Sequence, residues 1–163
     1  MKLVTSVLMP LLLAFVASLV LVAAAPANPT ATKQHVVLEG TKIAGPGGGT
    51  FTLTASGSGP LKADSGTFSG PVSQKKIVRN GQAVIIFTST TTFKGKLGTL
   101  VLKERFEDVA AGNGYRVGTG VWSVVKAKGK RQYAGLTGSG RSAYVLAQDH
   151  HVFFRWEGFV TKP

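Results

Sequence analysis

The stretch GKRQYAGLTGSG, Gly129–Gly140, sets four glycines around one tyrosine and one leucine. Glycine at this density serves a phosphate-binding loop, a flexible linker or the corner of a packed β-structure. A phosphate-binding loop leads into a helix, with a lysine beside Ser or Thr at the helix start. Here Gly140 is followed by RSAYVLA, Arg141–Ala147, which alternates as a strand does. A free linker has no use for Tyr133 and Leu136. The remaining reading is a barrel corner, where glycine permits bends and bulges while the two large side chains plug the barrel end.

Working outward, nothing in the chain reads as a long helix. Thr50–Ala55 alternates cleanly, with Phe51, Leu53 and Ala55 on one face and three threonines on the other, the pattern of a half-buried strand. A short strand is expected at His35–Glu39, before the glycine-dense loop Gly45–Gly49. Weaker strands at Ser65–Gly70 and Lys76–Arg79 flank Pro71. Asn80-Gly81 marks a hairpin, because both central residues of a type I′ turn take positive φ. Longer strands follow at Gln82–Lys94, Thr99–Glu107, Tyr115–Lys126, Arg141–Ala147 and His151–Val160, with turns at Gly95–Gly98, Gly112–Gly114 and Asp149-His150. About eight strands at this spacing make an antiparallel sandwich or barrel. For strands this long, closure removes exposed edges, so the expected fold is all-β, a single antiparallel eight-stranded barrel.

The N-terminus addresses the compartment. Lys2 is the only charge before Lys33, Leu3–Val22 is almost continuously apolar, and small residues follow at Ala23–Asn28. That is the plan of a secretory signal peptide. Cleavage is expected after Ala27, because a cut after Ala25 would leave Pro26 at the new terminus. The competing reading is an uncleaved anchor, since the apolar run is about long enough to span a bilayer. The domain plan is therefore a signal peptide over 1–27, a tether and first short strand over 28–47, and the barrel over 48–163. With no cysteine there is no disulfide, so a hydrophobic core must hold the domain. Nineteen Lys and Arg against seven Asp and Glu give a formal charge of +12. Such a field favours anionic partners. No aromatic-plus-basic motif of a nucleic-acid reader accompanies it.

The segment GTGVWSVVKAKGKRQYAGLTGSG, residues 118–140, resembles the small secreted bacterial proteins related to allene oxide cyclase and the plant dirigent proteins. The matching positions are Gly120, Trp122, Val124, Gly129, Tyr133, Gly135, Leu136, Gly138 and Gly140. FKGKLGTLVLKERFE, Phe93–Glu107, resembles that family's strand pair, and the likeness runs over about residues 48–160. It implies an eight-stranded antiparallel barrel with a central cavity, in chains that form homodimers or homotrimers. It implies shape more than chemistry. Where relatives carry a second glycine two residues before the tyrosine, this chain has Arg131, which with Lys126, Lys128 and Lys130 makes a cationic corner.

Chemistry has few candidates. His150 and His151 are adjacent, hence on opposite faces of a strand, and His35 has no acidic partner at ligand spacing, so no metal site is expected. No cofactor motif and no nucleophile elbow is present. On Thr99–Glu107 one face reads Leu100, Leu102, Glu104, Phe106, and a carboxyl between large apolar neighbours is desolvated and its pKa rises. On the last strand His151, Phe153, Arg155, Glu157 and Phe159 share one face and Val152, Phe154, Trp156, Gly158 and Val160 the other. If the first face points inward, Arg155 and Glu157 line the interior; if the second does, they are surface charges. Trp122 and Trp156 are either core or ligand-stacking residues.

Three functions remain open. One is a secreted barrel binding a small hydrophobic ligand against Phe87, Phe106, Trp122, Trp156 and Glu157, or a non-catalytic envelope protein. The second is a cyclase or isomerase confining its substrate in the barrel, with Glu104 as the polar group assisted by Arg155 or Tyr133. The third is an electrostatic binder of an anionic cell-envelope polymer through Lys126, Lys128, Lys130 and Arg131. Small residues at Ala55, Ala83, Gly118, Gly120, Ala143 and Gly158 lead us to expect a modest, mostly apolar cavity, opening away from Tyr133 and Leu136.

Overall fold

The computed structural model describes residues 32–45 and 47–162. The expected signal peptide and most of the tether lie outside the described residues. The strands are β1 (Lys33–Ile43), β2 (Gly49–Ser56), β3 (Asp64–Ser69), β4 (Val72–Arg79), β5 (Gln82–Gly95), β6 (Gly98–Gly112), β7 (Tyr115–Val124), β8 (Lys130–Arg131), β9 (Thr137–Leu146) and β10 (His151–Thr161). Every pairing is antiparallel, and the order β5-β3-β2-β1-β10-β9-β7-β6 returns to β5 through the β5–β6 ladder. Eight strands thus close a ring, as the long alternating runs demand.

The two remaining strands lie outside the ring. β5 shares one edge between two partners: β4 pairs with Gln82–Ser89 and β3 with Thr92–Gly95. β8 pairs with only Gly98 and Thr99 at the start of β6. The first strand is longer than the expected His35–Glu39, and it is a full member of the ring, pairing with β2 and β10. β9 begins at Thr137 rather than Arg141, so Gly138 and Gly140 sit within a strand. β7 ends at Val124, and Lys126–Lys128 form a short 3-10 turn instead of extending it.

Turn chemistry follows the sequence. Asn80 and Gly81 have φ of 52° and 78°, the two positive values a type I′ turn needs. Gly140 and Gly158 face each other across β9 and β10, and a Cβ on either would run into the Trp122 ring. Their lack of a side chain is what lets Trp122, almost fully buried, lie flat inside the ring.

Alternation then sorts the residues. Val36, Leu38, Phe51, Leu53, Leu100, Leu102 and Val160 point inward and are almost wholly buried. At mid-barrel they meet an aromatic cluster. Phe93 stands edge-on to both Phe51 and Trp156, with centroids 5.2 and 5.0 Å away, and Phe154 stacks on Trp156 at 4.5 Å.

Candidate functional site

The two ends of the ring differ. At one end the segment after β8 folds inward, burying Tyr133 and Leu136 completely, as the barrel-corner reading requires. The Tyr133 hydroxyl donates to Asp64 Oδ2 at 2.7 Å. Asp64 also accepts the backbone N–H groups of Ser65, Lys96 and Leu97. Burial and the carboxylate partner push the Tyr133 phenol far above its ordinary range. One carboxylate thereby ties the plug, β3 and the β5–β6 turn together.

The opposite end is a cup of about 780 Å³. Phe68, Phe87, Phe106, Phe154 and Trp156 form its apolar wall. Its opening is away from Tyr133 and Leu136, as expected. The lining is mostly apolar, as expected, with a polar strip running down one side. Along β6 the inward residues Glu104, Phe106 and Asp108 rise in chain order from floor to mouth, with Ser89 and Thr91 on β5 beside the floor. The small residues also divide: Gly118, Gly120 and Gly158 face inward, whereas Ala143 is exposed on the outer face and Ala83 is exposed at the start of β5.

Asp108, at 1% exposure, is paired with Arg116 and accepts the Tyr144 hydroxyl. Glu104 is different. It is 4% exposed, Ser89 Oγ donates to its Oε2 at 2.8 Å, and its Oε1 has no hydrogen-bond partner. Burial outweighs the Ser89 and Thr91 hydroxyls and raises the Glu104 carboxyl to about 7. The indole Nε1 of Trp156, lining the same cup, also has no partner.

The residues expected to act with Glu104 are elsewhere. Arg155 is on the outer face, bonded to Glu39 at 2.5 Å and to Glu157 at 3.1 Å, because the apolar face of β10 is the one that turns inward. Glu157 is on that outer face too, held by Arg155 and by His35, so it is not a cavity residue. Tyr133 is committed to Asp64 at the closed end. Trp122 is core: it lies beneath the cup, donating its indole N–H to the Arg141 carbonyl, and does not line it. Phe87, Phe106 and Trp156 do line it. Lys126, Lys128, Lys130 and Arg131 are exposed together on the closed-end corner. Arg131 takes φ of 58°, the left-handed region that glycine tolerates best.

Sequence reasoning missed Asp108, Arg116, Tyr144, Ser89 and Thr91. Asp108 was within reach, since it continues the parity of Glu104 and Phe106. Ser89 and Thr91 lie in TSTTT, Thr88–Thr92, where both faces carry the same chemistry and alternation cannot be read. No family model matches the chain, and no curated protein is significantly similar to it. What the fold and site define is a closed antiparallel barrel, plugged at one end and cupped at the other.

Proposed function

We propose that the chain is a secreted barrel that binds one small, mainly apolar molecule in the cup. The observation that carries this reading is the asymmetry of the interior: a sealed end, then an aromatic chamber of ligand size open to solvent. The ring also agrees with the architecture that the resemblance to allene oxide cyclase and dirigent-related proteins implies. Export rests on the signal-peptide pattern, and the exported protein should begin at Asn28. Exposed Val121, Val145, Phe153 and Phe159 on the outer face support association into a homodimer or homotrimer. Diphenylhexatriene, titrated into the purified protein, should gain fluorescence saturably and quench Trp156. A linear, non-saturating response from this probe and from a panel of apolar dyes would overturn the reading.

A second reading is favoured by the cationic corner, where four exposed side chains meet no acidic partner among the described residues. It assigns that corner to an anionic envelope polymer. Retention on such a polymer should fall steeply with salt, and replacing Lys126, Lys128, Lys130 and Arg131 with alanine should abolish it. The cyclase or isomerase reading keeps Glu104 alone of its three candidates.

A further inference from the structure

The polar atoms around the cup floor are directional. Thr91 Oγ1 donates to Ser89 Oγ at 3.5 Å, and Ser89 Oγ donates in turn to Glu104 Oε2. The chain of donors ends on one carboxyl oxygen, so a proton carried by Glu104 belongs on the other, Oε1, which has no partner in the protein. From β10, Trp156 Nε1 is a second donor without a partner. Both residues line the one cavity. A buried polar atom with no partner is costly, and two around one chamber are rare enough to ask what satisfies them.

We infer that the cup recognises a neutral molecule bearing a hydrogen-bond acceptor, a ketone, aldehyde or ester oxygen, which receives Glu104 Oε1–H and Trp156 Nε1–H while its hydrocarbon part packs on Phe68, Phe106 and Phe154. This rests on the ligand-binding reading above and specifies it. An oxygen with two lone pairs matches two donors, whereas a hydrocarbon leaves both unsatisfied. A carboxylate would bring its charge into a low-dielectric chamber whose Arg116 is already held by Asp108. The remaining charged or titratable groups lining the cup are occupied otherwise. Asp108 on β6 is held by Arg116 from β7 and Tyr144 from β9, and Lys42 on β1 donates to the Gly45 and Gly47 carbonyls. β4 lines the cup with neutral Val72 and Gln74, β3 contributes Phe68 and Ser69, and β10 presents no charge inward.

Protonation of Glu104 therefore gates recognition. Its carboxyl sits near 7, so the acid that donates to the ligand is present below that pH and is lost above it. By linkage, an acceptor ligand that binds only the protonated form must raise the Glu104 value further.

The test compares two probes on the purified protein. Propionyl-dimethylaminonaphthalene carries one ketone, whose fluorescence reports hydrogen bonding to its oxygen; diphenylhexatriene has none. At pH 6 the ketone should bind with red-shifted emission and lose about tenfold in affinity in Glu104→Leu. Trp156→Phe should cost it a smaller factor. Diphenylhexatriene should bind parent and Glu104→Leu alike. The ketone's advantage should fade above pH 7 in the parent and persist in Glu104→Gln, whose amide still donates. Carboxyl carbon NMR of Glu104 should show a midpoint near 7 that rises with the ketone present. Ketone affinity unchanged in Glu104→Leu, or flat between pH 5.5 and 8.5, would overturn this inference alone. Failure of both probes to bind the parent would overturn the ligand reading with it.

Discussion

The closed and open ends of the barrel are built from the same pair of groups. Each sets a tyrosine hydroxyl on a buried aspartate, Tyr133 on Asp64 and Tyr144 on Asp108. Both aspartates are saturated, one by backbone N–H groups and the other by Arg116. Glu104 lies between them with a single hydroxyl donor and one free oxygen. Satisfied carboxylates fix geometry; a half-satisfied one stores unused binding capacity and makes stability depend on pH. Structure resides at the plug, and potential chemistry at the cup floor.

That contrast is tested most severely at Asp64. Asp64→Ala leaves Tyr133 Oη and the N–H groups of Ser65, Lys96 and Leu97 without their acceptor. The expected loss is on the order of 4 kcal/mol in urea unfolding, because one buried hydroxyl and three partly buried N–H groups lose their acceptor at once. A loss below about 1 kcal/mol would show that the plug holds without its carboxylate.

Glu104 should behave in the opposite sense. Its value rises from 4.5 in the unfolded chain to about 7 in the fold, so the folded state holds the proton longer. The carboxyl contribution is fully present below pH 4.5, declines as pH rises through 7 and is constant beyond. The decline amounts to about 3 kcal/mol. Glu104→Gln should remove it, seen as the difference between the pH–stability curves of parent and variant. Parallel curves between pH 4.5 and 7.5 would mean that Glu104 is solvated after all.

The plug was legible in the sequence because glycine, tyrosine and leucine have incompatible demands anywhere but a packed corner. The ring was legible because Phe51, Leu53 and their counterparts keep strict period two. The polar strip was only partly so. Glu104 stands out against Leu102 and Phe106, but Ser89 and Thr91 are hidden in a run of hydroxyl residues, and Arg155 has the same composition on either face. Which face of β10 turns inward is decided by Phe154, Trp156 and Val160 joining the aromatic cluster. That is a tertiary property. The Asp64–Tyr133 bond joins residues 69 apart in the chain, and no local pattern announces it.

Tyr133→Phe isolates the hydroxyl of the plug from its ring. The ring stays buried, and Asp64 keeps its backbone donors, so the expected cost is about 1.5 kcal/mol, well below that of Asp64→Ala. A double-mutant cycle with Asp64→Asn measures the coupling directly. Equal losses in Asp64→Ala and Tyr133→Phe would place the whole value of the closed end in one hydroxyl rather than in the saturated carboxylate.

The smallest effect, and the only gain, is expected at Arg131. Its φ of 58° is imposed by the turn that carries the chain from β8 into the plug, where the Ala134 N–H reaches the Arg131 carbonyl at 3.1 Å. A side chain with a Cβ costs about 1 kcal/mol or more in that region, whereas glycine enters it freely. Glycine loses more freedom on folding, which offsets part of the gain, so Arg131→Gly should stabilise by about 0.5 kcal/mol in urea unfolding. Lys130, its neighbour in β8, has no positive φ, so Lys130→Gly should instead destabilise by about 0.5–1 kcal/mol. The opposite signs at adjacent exposed positions separate backbone strain from charge, because each substitution removes one positive charge from the same corner. Destabilisation of similar size by both would mean that the corner is held by its cations, and that the closed end depends on its surface as well as on Asp64.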